Sequence, residues 1–158
     1  LDVGRNVIPM FRPRRRLDPG TWGTMGVGLA YAIAAAVESG DPVVAVEGDS
    51  AFGFSGMEVE TICRYGLQIV VVVCNNGGVY RGDEVNTASS DPAPTVLSLT
   101  GRYDRIVEAF GGTGYHVEDR PALQRAITAA LEDGGPALVN CAIDPAAGTE
   151  SGHLTHLN

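Results

Sequence analysis

Short apolar runs alternate along the chain with segments in which apolar residues recur every three to four positions. Four apolar runs, several of them rich in β-branched residues, predict strands over residues 43–47, 68–74, 113–118 and 136–144. Four periodic segments predict helices over residues 23–40, 56–65, 102–111 and 120–134. Ser55 is placed to cap the second of these helices. Since strands and helices alternate, the pattern predicts an α/β fold with a parallel sheet and right-handed crossovers.

Two stretches fall outside this alternation. Residues 1–20 carry Pro9, Pro13 and Pro19 and predict a linker, while the polar residues 82–100 predict a long loop of the functional or mobile kind. A chain of 158 residues suits a single domain with a sizeable core. Because it opens at Leu1 within a pattern and without an initiator methionine, we expect a piece of a longer subunit.

Composition narrows the possible partners. The net charge of −8 argues against nucleic acid and against anionic membrane surfaces, and no apolar run approaches the ~20 residues of a membrane span. The basic stretch Arg12–Arg16 is either a solvated loop or a contact for phosphates or an acidic neighbour. Three cysteines without a C-x-x-C pair give no support for zinc and predict reduced thiols in the cytoplasm.

Polar side chains follow two neighbouring predicted strands. Asp49 comes after the first strand and Asn75-Asn76 after the second, so in a parallel β-α-β unit they share one edge of the sheet, ~4.8 Å apart from strand to strand. Carboxylate and amide oxygens suit Mg²⁺ or Ca²⁺, and the Gly- and Ser-rich turn that opens the next helix suits phosphate. The pattern therefore predicts an Mg²⁺–diphosphate site, although Gly-Asp and Asn-Asn pairs also occur as plain turns.

Other phosphate-binding motifs do not match. The chain has no G-x-x-x-x-G-K-[ST] sequence, so a P-loop is unsupported. The string "GTMGVG" at residues 23–28 differs from G-x-G-x-x-G and follows no predicted strand, which disfavours a dinucleotide-binding oxidoreductase domain.

The string G-D-S, followed by twenty-four residues and then N-N, resembles the cofactor motif of thiamine-diphosphate-dependent enzymes, most of which have glycine in place of Ser50. The longer string "GDSAFGFSGMEVETICRYGL" resembles the branch of oxalyl-CoA decarboxylases and 2-hydroxyacyl-CoA lyases. "NNGGVYRGDE" and "DPAAGTESGH" resemble the decarboxylases in particular. The resemblance runs from Leu1 to Asn158 and is to the C-terminal, diphosphate-binding domain alone. It implies a three-layer α/β/α domain with a mostly parallel sheet.

The resemblance also implies two cofactors, thiamine diphosphate and Mg²⁺, and residues that hold them. The metal ligands are expected to be side-chain oxygens of Asp49 and Asn76 and the carbonyl oxygen of Gly78. Cofactor contacts are expected from six residues: Gly23, Thr24, Met25, Ser50, Ala51 and Tyr80. The Gly23 carbonyl would accept from the aminopyrimidine, and Met25 would wedge beneath the bent cofactor. From the residues alone, Met25 fits plain core packing.

The implied activity is decarboxylation of oxalyl-CoA to formyl-CoA and carbon dioxide. Residues expected on the substrate side are Arg5, Asn6, Ser151, Gly152 and His153. His153 fits a solvated tail as well, and with His156 it forms a weak candidate metal pair. The family's activating glutamate lies in another domain, so no catalytic residue is assigned here, and the isolated chain is expected to be inactive.

Two further expectations concern the partners of the chain and its alternative functions. Family resemblance implies the remaining domains of the same subunit and a homodimer or homotetramer. The runner-up activity is cleavage of 2-hydroxyacyl-CoA, and the rival of another class is a non-catalytic domain that keeps the fold. Retention of Asp49, Asn76, Gly78 and Met25 together disfavours the latter.

Overall fold

A parallel sheet forms the centre of the structure, a computed structural model that describes Gly4 and residues 7–79, 93–98 and 100–145. The four strands of this sheet lie in the order β1-β2-β4-β3, and each neighbouring pair is parallel. Their bounds are β1 Val43–Gly48, β2 Ile69–Asn75, β3 Thr113–Val117 and β4 Ala137–Ala142. The strand predictions are therefore confirmed within two residues at each end.

Helices cover both faces of the sheet. Their bounds are α1 Gly28–Ser39, α2 Asp49–Gly53, α3 Glu58–Arg64, α4 Asp104–Ala109 and α5 Arg120–Asp133, preceded by a 3₁₀ turn at Gly20–Trp22. Buried side chains of α1 to α4 share one apolar cluster with the sheet, and those of α5 share a second cluster. The predicted three-layer α/β/α architecture is thus confirmed.

The central strand β2 explains why both faces must be covered. Its residues Ile69, Val71 and Val73 belong to the cluster under α1 to α4, whereas Val70 and Val72 belong to the cluster under α5. Successive side chains of a strand point to opposite faces, so an uninterrupted valine run needs a helical layer on each side. This arrangement leaves only the strand ends free for chemistry.

Local sequence signals set the ends of the two longest helices. The Asp119 carboxylate accepts the Ala122 backbone N–H at 2.6 Å, which caps α5. α5 ends at Gly134 and α1 ends at Gly40, and both glycines adopt positive φ, +71° and +67°. A glycine can end a helix in the left-handed conformation at little energetic cost, because it has no Cβ to clash with the backbone.

Three local predictions were wrong around the first crossover. α1 begins at Gly28 rather than at residue 23, because Gly23 and Gly26 have φ of +61° and +86° and form a turn. Ser55 does not cap α3, which starts at Glu58, and its hydroxyl has no hydrogen-bond partner within the described residues. The five-residue α2 was expected as a turn. Residues 82–92 and residue 99 of the predicted loop lie outside the described residues.

No helix among the described residues has the length and apolarity needed to cross a bilayer.

Gly114 allows α4 to approach β3 closely, and its replacement is expected to be costly. A Cβ at this position would lie 2.5 Å from the Asp104 carbonyl oxygen and 2.8 Å from Glu108 Oε1. We expect Gly114→Ala to lower the free energy of unfolding by about 1–3 kcal/mol, measured by urea denaturation. The matched control is Gly135→Ala, where an added Cβ meets no atom within 4 Å. Equal midpoints for the two variants would contradict this packing.

Candidate functional site

The carboxyl ends of β1 and β2 bring the candidate site together. Gly48 pairs with Cys74 in the parallel register, so Asp49 and Asn75 lie at the same edge of the sheet. Asp49 is the first residue of α2, and only 1% of it is exposed. A carboxylate buried this deeply requires hydrogen bonds or a cation to offset its desolvation.

Backbone N–H groups hold the Asp49 carboxylate in place. Gly77 and Gly78 donate to Oδ2 at 2.8 Å and 3.0 Å, and Ser50 donates to Oδ1 at 2.7 Å. Gly77 adopts a φ of +77°, a conformation that suits glycine and turns its N–H toward the carboxylate. The loop after β2 is therefore hydrogen bonded directly to Asp49, the residue after β1.

The three expected metal ligands follow the neighbouring strands β1 and β2 in the chain. Asn76 is partly buried and precedes the two glycines that bind Asp49, and Gly78 forms an isolated bridge with Val96. No group of three or more histidine, cysteine or acidic residues suited to a metal occurs among the described residues. The expected ligands are one carboxylate with amide and backbone oxygens, a donor set that suits Mg²⁺.

A buried amide network lies behind the loop, and our sequence analysis missed it. Asn140 of β4 is fully buried, and Asn75 is 4% exposed. Asn75 Nδ2 donates to Asn140 Oδ1 at 3.2 Å, and both amide Nδ2 atoms donate to the Gly101 carbonyl, at 3.1 Å and 2.9 Å. The available signal was a single asparagine within the otherwise apolar string "PALVNCA".

An ion pair closes the outer end of this network. Asn140 Nδ2 lies 3.4 Å from Asp104 Oδ1, and Asp104 pairs with Arg102 at 2.6 Å. Burial by itself would raise the pKa of Asp104, but the Arg102 guanidinium and the Asn140 amide outweigh burial and lower that pKa. Asp104 therefore remains ionised at neutral pH.

Glu47, the penultimate residue of β1, carries a second buried carboxyl and lies two residues before Asp49. Neither of its oxygens has a hydrogen bond of normal geometry among the described residues, and a Cβ at Gly28 would lie 1.8 Å from Oε1. Burial raises the pKa of Glu47, and the Leu29 backbone N–H at the start of α1 lowers it by less.

The turn before α1 carries three of the predicted cofactor residues, Gly23, Thr24 and Met25. Met25 is 42% exposed, so it is not part of this chain's core. The turn packs beside the α2–α3 connection, since a Cβ at Gly26 would lie 2.7 Å from Phe54 Cβ. No described contact joins this turn to Asp49.

The remaining predicted residues divide into two sets. Ser50 and Ala51 follow Asp49 in α2 and are partly buried. Six others lie outside the described residues: Arg5, Asn6, Tyr80, Ser151, Gly152 and His153.

The three cysteines and one arginine of the basic stretch have local structural explanations. Cys63, Cys74 and Cys141 are free thiols, and burial raises the pKa of each, as expected of small apolar side chains in a core. Within the basic stretch, Arg15 pairs with Asp41 at 2.6 Å, and both side chains are more than half exposed. An acidic neighbour in the same chain thus accounts for one arginine.

Known proteins resemble this chain in sequence and in fold. A family model described as "Thiamine pyrophosphate enzyme, C-terminal TPP binding domain" matches residues 2–141. The chain is 57% identical to oxalyl-CoA decarboxylase of Escherichia coli K12 over all of its own length and 28% of that protein. It is 54% identical to 2-hydroxyacyl-CoA lyase of Arabidopsis thaliana, again over its full length and 29% of the relative.

A solved structure supports the fold. The thiamine diphosphate-dependent 4-hydroxybenzoylformate decarboxylase of Rhodococcus jostii RHA1 superposes with a TM-score of 0.65 and 24% identity, over 78% of this chain and 24% of that chain. The chain thus spans under a third of the relatives that it matches. Since the family model covers nearly the whole described sheet, the chain belongs to the thiamine pyrophosphate enzymes, as their C-terminal TPP-binding domain.

Proposed function

We propose that this chain supplies the diphosphate- and Mg²⁺-binding half of the site in an enzyme that converts oxalyl-CoA to formyl-CoA and carbon dioxide. The observation that carries the proposal is the buried Asp49 carboxylate, to which the Gly77 and Gly78 N–H groups are hydrogen bonded. Two loops from neighbouring strands thereby face a common point at the edge where α/β sheets bind ligands.

The donor set fits the implied metal. Asp49 brings one negative charge into a site that is almost closed to solvent, and that charge favours a bound cation. Asn76 and Gly78 would add neutral oxygens, and Mg²⁺ completes such sets with water and phosphate oxygens. The proposed ligands are the side-chain oxygens of Asp49 and Asn76 and the carbonyl oxygen of Gly78.

The chain's own residues would bind and orient the substrate and cofactor and would not transfer protons. Ser50, Ala51 and Tyr80 are proposed to hold the diphosphate, the Gly23 carbonyl to accept from the aminopyrimidine, and Met25, beside Thr24, to support the bend. When bound, thiamine diphosphate supplies the electron sink for decarboxylation. Holding both reactants in one geometry lowers the entropic part of the barrier.

The substrate side of the site rests on residues at the two ends of the chain. Arg5 and Asn6 are proposed to face the oxalyl carboxylate or the thioester, where a guanidinium pairs well with a carboxylate. Ser151, Gly152 and His153 are proposed to close over the acyl group. The activating glutamate, the remaining domains and a partner subunit of a homodimer or homotetramer would complete the site, in a cytoplasmic enzyme of oxalate breakdown.

The runner-up is carbon–carbon cleavage of 2-hydroxyacyl-CoA, favoured by 54% identity to the Arabidopsis lyase. The polypeptide that contains this chain should be assayed with oxalyl-CoA and with a 2-hydroxyacyl-CoA, each with thiamine diphosphate and Mg²⁺. We expect formyl-CoA and carbon dioxide from oxalyl-CoA only when both cofactors are present, and no turnover by the isolated 158-residue chain. Faster cleavage of the 2-hydroxyacyl-CoA would assign the lyase reaction instead.

A non-catalytic domain that retains the fold is the remaining alternative. Calorimetric titration with thiamine diphosphate, with and without Mg²⁺, separates it from both enzymes. An enzyme requires saturable, Mg²⁺-dependent binding, whereas absence of binding to the complete polypeptide would favour the non-catalytic alternative.

A further inference from the structure

Asn140 is a polar residue at the centre of an apolar strand. It pairs in register with Val73 of β2 and with His116 of β3, and none of its surface is exposed. Burying an amide costs about 1–3 kcal/mol unless its hydrogen bonds are made. A valine would pack at this strand position without that cost, so the side chain needs an explanation beyond filling space.

The hydrogen bonds of Asn140 join β4 to Gly101 and to Asn75, the last residue of β2. Asn140 Nδ2 donates to the Gly101 carbonyl at 2.9 Å and lies 3.2 Å from His116 Nδ1. Its Oδ1 accepts from Asn75 Nδ2 at 3.2 Å, and Asn75 Nδ2 also donates to Gly101 at 3.1 Å. The two amides and one carbonyl thus form a closed triangle that fixes the rotamer of Asn75.

The fixed rotamer of Asn75 orients the Gly77 N–H, which in turn binds Asp49. With its Nδ2 held by Asn140 and Gly101, the opposite atom, Asn75 Oδ1, accepts the Gly77 N–H at 3.3 Å. The same N–H donates to Asp49 Oδ2 at 2.8 Å. Asn140 of β4 is therefore joined to the Asp49 carboxylate through Asn75 and Gly77.

We propose that Asn140 is a positioning residue that holds the loop at residues 75–78 in the conformation that binds the divalent cation. The inference rests on the function proposed above, since it assigns a role to that cation. Among the described residues, the side-chain hydrogen bonds of Asn140 go to Asn75, Gly101, Asp104 and His116, and none of them joins a proposed ligand, Ser50 or Ala51. Its removal would leave Asn75 with one acceptor for its amide and free the Gly77 turn to rotate away from Asp49.

The test compares Asn140→Ala with Val139→Ala in the complete polypeptide that contains this chain. Val139 is the neighbouring residue of β4, equally buried but in the cluster on the opposite face, so its truncation lowers stability without touching the amides. Asn140→Thr is the second variant, because threonine suits a strand but its hydroxyl is too short to replace both amide contacts.

Two quantities should be measured for each variant. The first is the Mg²⁺ concentration that gives half-maximal thiamine diphosphate binding, and the second is the rate of amide hydrogen exchange at residues 75–79 without cofactor. We expect both Asn140 variants to raise the Mg²⁺ midpoint by about tenfold or more and to accelerate exchange at Gly77 and Gly78. Val139→Ala is expected to lower the melting temperature while leaving both quantities near the wild-type values.

Unchanged midpoints and exchange rates in the Asn140 variants would overturn the inference. Equal increases in Val139→Ala would also overturn it, because they would reduce the effect to general destabilisation. If wild type itself bound no cofactor with Mg²⁺, the proposed function would fail, and the exchange comparison would still decide whether Asn140 holds the loop.

Discussion

Asp49→Asn is expected to weaken Mg²⁺-dependent binding of thiamine diphosphate by about 100-fold or more. The substitution removes the one charge among the three proposed ligands while keeping the side-chain shape. Losing one partner of a buried charge pair typically costs about 3–5 kcal/mol, and about 1.4 kcal/mol corresponds to a factor of ten in affinity. Titration calorimetry at saturating Mg²⁺ measures the change directly.

The matched control for this substitution is Asp133→Asn. Asp133 is exposed and lies at the end of α5, away from the strand edge that carries Asp49. We expect its cofactor affinity to stay within twofold of wild type, in keeping with the small effects of surface changes. An Asp49→Asn variant that bound as tightly as Asp133→Asn would remove Asp49 from the site.

Phe52→Ala is expected to produce the largest loss of stability among simple substitutions near the site. Phe52 is 1% exposed, and its ring meets Tyr103 edge to face with 5.6 Å between centroids. Truncating a buried phenylalanine costs about 3–5 kcal/mol, because the apolar contacts are lost and a cavity remains. Urea denaturation should show a lower midpoint with little change in slope.

Phe54→Ala provides the comparison, because Phe54 is 71% exposed in the turn just after α2. We expect less than about 1 kcal/mol of lost stability for this variant, since it leaves the core intact. Phe52 belongs to the same short helix as Asp49, so Phe52→Ala should also weaken cofactor binding. Similar unfolding midpoints for the two variants would contradict the idea that Phe52 anchors this helix to the core.

The sheet and the edge that carries Asp49 and Asn75 were predictable because their signals are local and strong. The valine run of β2 has no plausible alternative to a strand buried on both faces, and parallel neighbours bring Asp49 and Asn75 to one edge whatever the details. The start of α1 was not predictable from its apolar pattern, since Gly23 and Gly26 adopt positive φ there. The spacing of small residues in the sequence does not indicate which glycines adopt positive φ.

The buried amide network was beyond sequence reasoning for a different reason. Asn75, Gly101 and Asn140 come from three separate segments, and their contacts exist only once β2 and β4 are paired. Asn76 alone of the Asn75-Asn76 pair was predicted as a ligand, and the two residues differ in environment: Asn75 is buried against β4, whereas Asn76 is partly exposed. The pairing of β2 with β4 buries Asn75 and leaves Asn76 at the edge of the sheet.

The most direct test is diffraction from the complete polypeptide crystallised with thiamine diphosphate and Mn²⁺ in place of Mg²⁺. The anomalous signal of Mn²⁺ locates the cation without assumptions about its ligands. We expect one strong peak within coordinating distance of an Asp49 carboxylate oxygen, the Asn76 side-chain oxygen and the Gly78 carbonyl oxygen. A cofactor-bound cation held by other residues, with Asp49 hydrogen bonded only to backbone N–H groups, would contradict the site.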